Sequence, residues 1–227
     1  MEVGRKLKAL EAVCAVYDEF ARTQARACSP RCTTCCTTHV TVTTLEAFKI
    51  RAALFPGEWS RLSERLSARA GIKRLRPRLT TNALATLCAE GGDPPPENEE
   101  ASPVSCPLLA EDLCSIYALR PFNCRCFISR LPCTQKGTAE VDEFVLSLNT
   151  VFLQTIEHLD SDGCSGNLLD VLAVMADEPK QAAYAAGALT CSAAGLIANR
   201  PIRVLMLPPE HRARIEPFLR KLREIRV

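Results

Sequence analysis

Histidine is scarce, at three residues in 227, and no cluster of carboxylates accompanies it, so general acid–base chemistry has few candidate groups. There is no glycine-rich strand-to-helix turn of the kind that cradles a nucleotide-like cofactor. No apolar run approaches the roughly eighteen residues that mark a membrane-spanning helix. The opening stretch Met1-Glu2-Val3-Gly4-Arg5-Lys6 leads into an amphipathic pattern rather than an apolar signal core, and a cytoplasmic location without membrane contact is expected. Charge of one sign is not in excess either. A formal net charge of +2 gives no global reason to expect nucleic acid as a partner. Internal repeats and alternating strand–helix units are also missing, which argues against a parallel α/β fold.

What the chain has in quantity is cysteine, thirteen in all, and most of it falls in two groups. The first is Cys28-Ser29-Pro30-Arg31-Cys32-Thr33-Thr34-Cys35-Cys36. The second, about seventy residues downstream, comprises Cys106, Cys114, Cys124 and Cys126. Cysteines three or four apart face one another across a tight loop, which is how one metal ion gathers ligands from neighbouring sequence. Without a secretory signal, and with an odd count that includes the adjacent pair Cys35-Cys36, disulfides are not expected. Cys14, Cys88, Cys164 and Cys191 stand apart and read as small buried hydrophobes.

A composition 47% apolar and 24% charged belongs to a globular chain, read here as a single domain over 1–227. Apolar spacings of three and four predict helices over 3–25, 58–70, 77–89, 139–159, 168–176, 179–198 and 210–225. Thr43-Thr44-Leu45-Glu46 has the form of a capping box and predicts another helix running to Leu54. The β-branched residues of 37–43 predict a brief strand. The fold class is therefore mostly α, with at most a short strand pair and a small irregular cysteine-rich lobe formed by 28–46 and 104–133. The acidic, proline-rich 91–103 reads as a mobile surface insert, and 139–227 as a helical C-terminal part. Prolines and cysteines dominate 104–133, so something other than its own secondary structure must hold that segment. Trp59 is read as a core or rim anchor.

Cys106-Pro107-Leu108-Leu109, Cys114-Ser115-Ile116-Tyr117 and Arg120-Pro121-Phe122-Asn123-Cys124-Arg125, following the first group, resemble the C-x-x-C-x-x-C-C cysteine-cluster family of zinc- or iron-chelating proteins. Family members include some that are like flagellin lysine methylases. Cys28, Cys32, Cys35, Cys36, Cys106, Cys114 and Cys124 are the metal ligands this resemblance implies. The first gap holds three residues where the family has two, and Cys126 is additional to the family pattern.

Thiolates without histidine suit both zinc and iron–sulfur, because soft ligands select both. One tetrahedral zinc site takes about four ligands, fewer than the thiols present. Two sites, one cluster with spare cysteines, or some structural thiols would each account for the number. An iron–sulfur cluster is the expected cofactor, with Zn2+ as the alternative. The expected function is a cytoplasmic metal-binding protein whose two cysteine groups converge. The alternative is a flagellin lysine methylase-like protein methyltransferase using a cysteine-bound cluster. Arg31, Arg120, Arg125 and Arg130 are read as donors to the sulfurs, offsetting the charge of thiolates around a metal. His39 is a further candidate ligand, read first as a solvated or hydrogen-bonded side chain. The basic residues from Arg200 onward suggest a C-terminal helix able to meet an acidic protein partner.

Overall fold

The computed structural model describes residues 2–29, 31–96, 104–193 and 195–225. The first periodic stretch forms α1 (Val3–Thr23), whose stripe of Leu10, Val13, Tyr17 and Phe20 is buried. The brief strand β1 (Thr41–Thr43) passes directly into α2 (Thr44–Ala53). The predicted capping box is present there: Thr43 Oγ1 accepts the Glu46 N–H at 3.3 Å, and the Glu46 carboxylate accepts the Thr43 N–H at 2.9 Å. Next comes α3 (Pro56–Ser67), which starts two residues earlier than predicted because proline is well suited to a first helical turn, where its missing N–H would be unsatisfied anyway. Trp59, on this helix, is buried in the core, with the Arg51 guanidinium 4.9 Å from its ring centroid. Helix α4 (Thr81–Ala89) starts later than predicted, at the point where Thr80 Oγ1 can accept the Ala83 N–H at 3.2 Å.

The cysteine-rich stretch holds the hairpin β2 (Leu109–Ala110) and β3 (Leu113–Cys114), then two single-turn helices, α5 (Phe122–Arg125) and α6 (Cys133–Lys136). Helix α7 (Glu143–Leu159) follows, then β4 (Cys164–Asn167), α8 (Leu168–Ala176), α9 (Glu178–Ala185), β5 (Ile197–Ala198) and α10 (Arg212–Glu224). Helix dominates as expected. The strands go beyond the single pair predicted: β1, β4 and β5 form an antiparallel sheet in the order β1-β4-β5, with Val42 opposite Gly166 and Ser165 opposite Ile197.

Two expectations are corrected in this region. The helix predicted over 179–198 ends early. Gly187 takes a left-handed φ of 71°, and the Gly187 and Ala188 N–H groups bond back to Tyr184 and Ala183 carbonyls at 2.9 and 2.8 Å, a pattern that closes a helix. Cys164 and Cys191, read as separate thiols, are joined in a disulfide that ties β4 to the segment leading into β5. Cys14 is buried as expected, whereas Cys88 is exposed. Of the acidic insert, 91–96 is irregular and 97–103 lies outside the described residues.

Helices α1, α2, α3, α7, α8 and α10 all contribute to one buried apolar cluster. At its centre Tyr17 meets Phe122 edge-on at 4.7 Å and Phe152 at 5.2 Å, while Phe122 and Phe152 stack at 5.6 Å. Beyond the C-terminus of α7 the fully buried Asp160 carboxylate accepts hydrogen bonds from Thr44 Oγ1 (2.6 Å), Leu45 N (2.9 Å), Tyr184 OH (2.6 Å) and Asn199 Nδ2 (3.2 Å). Lys6 Nζ lies 3.7 Å from the same group and also pairs with Asp162. Burial pushes Asp160 up to about 6 despite these donors. Among the described residues no helix is long and apolar enough to cross a membrane.

Candidate metal centre

The second cysteine group is set by a hairpin and an anchored turn. Glu111 and Asp112, with φ of 49° and 61°, form the two-residue connection between β2 and β3, a turn in which both central residues need positive φ. The hairpin pairs Leu109 with Cys114, and the Leu109 N–H bonds the Cys106 carbonyl at 3.1 Å, which brings Cys106 and Cys114 to one end of the ribbon. Helix α5 carries Cys124. Its Phe122 is 1% exposed and locked among Tyr17 and Phe152, and the Phe122 N–H bonds Glu46 Oε1 at 2.8 Å. Glu46 therefore caps α2 with one oxygen and the cysteine lobe with the other. Asn123 Nδ2 adds a bond to the Thr41 carbonyl at 2.8 Å.

The first group joins the second through backbone. Cys106 N–H bonds the Cys36 carbonyl at 2.9 Å, Thr38 N–H bonds the Val104 carbonyl at 2.9 Å, and Thr37 bridges Ser105. At the other end of the block, Ala27 N–H bonds the Ser129 carbonyl at 2.9 Å. Arg31 takes a left-handed φ of 66° and reaches the Glu111 carbonyl at 3.3 Å with Nη1. The segment 104–133 is thus held by its core anchor and by this pairing, with no need for a metal to explain its course.

These ties bring the two groups around one cavity of about 120 Å3. Cys28, Cys32, Cys35, Cys36, Cys106, Cys114 and Cys124, all seven cysteines singled out in the sequence, line it. Cys133, at the start of α6, is an eighth lining thiol that sequence reasoning left unassigned. Its one signal was its position at the end of the proline- and cysteine-rich run. No carboxylate or imidazole lines the cavity among the described residues; beside hydroxyl and amide side chains such as Ser29, Thr37 and Asn123, its soft donors are the thiols, the ligands that zinc and iron–sulfur clusters use. In their present rotamers no three Cys, His, Asp or Glu side chains among the described residues stand so as to hold one ion together.

The thiols sense one another. Cys35 is pushed well up, first by its hydrogen bond to Cys36 and then by burial, while the same bond holds Cys36 below its ordinary value. Burial raises Cys106 and Cys114, and raises Cys124 further, with Cys106 and Cys114 adding to the effect. Cys133 is raised by burial and by Cys32, Cys28 and Cys35. Cys36 is thus perturbed by Cys35 and by Cys106, Cys114 and Cys124 of the second group, so the thiols of the two groups act on one another.

Of the four arginines expected beside the sulfurs, only Arg120 lines the cavity. Its Nε is buried without a hydrogen-bond partner, its guanidinium lies 4.1 Å from the Tyr117 ring centroid, and its charge lowers Cys35 and Cys114. Arg125 instead grips Asp18 at 2.9 Å and the carbonyls of Arg120 and Ala118 at 3.0 and 3.1 Å, fastening the cysteine lobe to α1. Arg130 pairs with Asp142 at 3.4 Å. His39 lines a different cavity, and its Nε2 is buried with no partner, so it is neither solvated there nor placed among the thiols. Cys126 is buried in the core, its Sγ 3.4 Å from the Asn123 carbonyl and its thiol raised by burial to about 12. In the basic C-terminal part, Arg214 covers the Phe144 ring, Lys221 pairs with Glu19 at 2.9 Å and Arg223 with Glu216 at 3.5 Å, so several charges of α10 already have intramolecular partners at the surface.

Compared with family models, curated proteins and solved structures, the chain shows no significant match to any of them.

Proposed function

We propose that this is a metal-binding protein in which an iron–sulfur cluster, or zinc as the alternative, is held by cysteines of both groups. The observation that carries the reading is the cavity lined by eight thiols drawn from the two groups and from α6, with no oxygen or nitrogen donor side chain of Asp, Glu or His among its lining residues. Its residues fit such a group in chemistry. Closing on an ion would require thiols of both groups to turn toward one another about their Cα–Cβ bonds, a rotation between staggered wells. The ligands are drawn from Cys28, Cys32, Cys35, Cys36, Cys106, Cys114 and Cys124, with Cys133 an eighth thiol on the same wall. When bound, the metal neutralises thiolate charge and ties loop to loop. Arg120 supplies the positive charge beside the sulfurs, and its free N–H can donate to one of them.

The test is anaerobic purification followed by elemental analysis and an absorption spectrum. Stoichiometric iron with sulfide, and a visible charge-transfer band, are expected for the parent, while C36A and C114A lose the metal and remain folded. Zinc in a colourless protein moves the assignment to the alternative metal. Protein that stays metal-free after anaerobic reconstitution with either metal overturns the proposal.

A further inference from the structure

Beside the thiol cavity, and sharing Val40, Asn123 and Phe127 with it as a common wall, lies a second cavity of about 490 Å3. We propose that this second cavity binds a small organic oxyanion, a carboxylate or phosphate group carried on a compact apolar body.

Its volume falls in the range of roughly 300 to 1,000 Å3 typical of small-molecule sites. His39 lines it with an Nε2 that is buried and has no protein partner, and a buried polar atom in that state calls for a ligand able to satisfy it. With its hydrogen on Nε2 the ring donates to an oxyanion. Arg76 also lines the cavity and is fixed in direction by Asp170, which accepts from its Nε at 2.9 Å and its Nη2 at 3.2 Å and leaves Nη1 for another acceptor. Asp170 serves Arg74 as well, at 2.6 Å, so two guanidinium groups surround one carboxylate and a positive charge is left over. No carboxylate lines the cavity among the described residues, and a pre-oriented cation beside an orphaned donor favours an anion over a neutral ligand. Leu79, Leu84 and Phe127 give the remaining wall an apolar character suited to a hydrocarbon or aromatic body. None of this depends on metal in the neighbouring cavity.

Isothermal titration of the full chain with benzoate, phenyl phosphate, inorganic phosphate and the neutral benzamide tests the proposal. Saturable one-to-one binding is expected for benzoate or phenyl phosphate, weaker binding for inorganic phosphate, and none for benzamide over the same concentrations. The better of the two aryl anions identifies the head group. His39→Leu should weaken that binding by roughly tenfold or more, the loss of a hydrogen bond to a charged group, while Arg223→Gln, which removes a positive charge from a residue lining neither cavity, leaves it unchanged. Absence of saturable binding by both aryl anions, equal binding of benzamide, or parent-like affinity in a folded His39→Leu variant overturns the proposal. If His39→Leu fails to fold, the selectivity of the parent for anion over neutral analogue decides the matter alone.

Discussion

Replacing Phe122 with alanine tests whether the cysteine lobe is carried by the hydrophobic core. The ring is 1% exposed, lies 4.7 Å from Tyr17 and 5.6 Å from Phe152, and sits two residues before Cys124. Truncating a phenylalanine in such a setting removes its burial and leaves a cavity that rigid neighbours fill only in part, a loss of about 3–5 kcal/mol. For a chain of this size each kcal/mol moves the thermal midpoint by about 2–4 °C, so a drop of roughly 6–20 °C is expected. Urea unfolding followed by circular dichroism, in metal-free protein, reads the difference directly. Cys114→Ala, at a half-buried thiol on the cavity wall, should cost about 1 kcal/mol or less in the same assay. A Phe122→Ala loss below about 1 kcal/mol, or a Cys114→Ala loss as large as that of Phe122→Ala, would refute the claim that the core rather than the thiols orders this lobe.

Asp160 gives a pH signature. Its carboxyl is raised from 3.8 to about 6, so between those values the folded protein keeps a proton that the unfolded chain has released; this stabilising contribution is full below pH about 4 and lost as pH rises through about 6. Unfolding free energies of the parent and Asp160→Asn, compared at pH 4 and pH 7, should show the parent falling relative to the variant, and a pH-independent difference contradicts the assignment. Cys191→Ser opens a disulfide whose ends are 27 residues apart, a change worth about 3–4 kcal/mol of unfolded-chain entropy. Parent stability should respond to a reductant by that amount and variant stability should not. Removing metal by chelation should lower the thermal midpoint of the parent and leave that of Cys114→Ala unmoved.

Long amphipathic segments were legible because their period repeats over several turns, as in α1 and α7, and the Thr43–Glu46 box announced its own helix start. The seven cysteines were legible as one group for a related reason: thiols spaced three or four apart, met again about seventy residues on, form a pattern that needs no structure to be seen. Other features depended on partners distant in sequence. Cys164-Ser165-Gly166-Asn167 lacks β-branched residues and becomes a strand only because β1 and β5 flank it. The disulfide rests on the same sheet, which sets the Cys164 and Cys191 Cα atoms 5.7 Å apart. The alanine-rich stretch after 179 has helical propensity as far as Ala186, and Gly187 ends the helix by taking a left-handed conformation, although alanines resume beyond it. Arg125 lay between two cysteines and was read as their neighbour, yet a side chain that long reached Asp18, 107 residues away.

Helix α1 has a consequence for the order in which the protein can be completed during synthesis. Its partners lie far down the chain: Tyr17 bonds Asn149 across 132 residues, Lys6 meets Asp162 across 156 and Glu19 meets Lys221 across 202. A ribosome adding about 5–20 residues per second makes α1 first and the helices that cover it last. For on the order of ten seconds the apolar stripe of Leu10, Val13, Tyr17 and Phe20 has no completed α7 or α10 to pack against, and over the same interval the first cysteine group is exposed without the second. Nascent chains of this protein therefore present bare apolar surface and bare thiols together, and they should depend on chaperone cover and reducing conditions more than the finished molecule does.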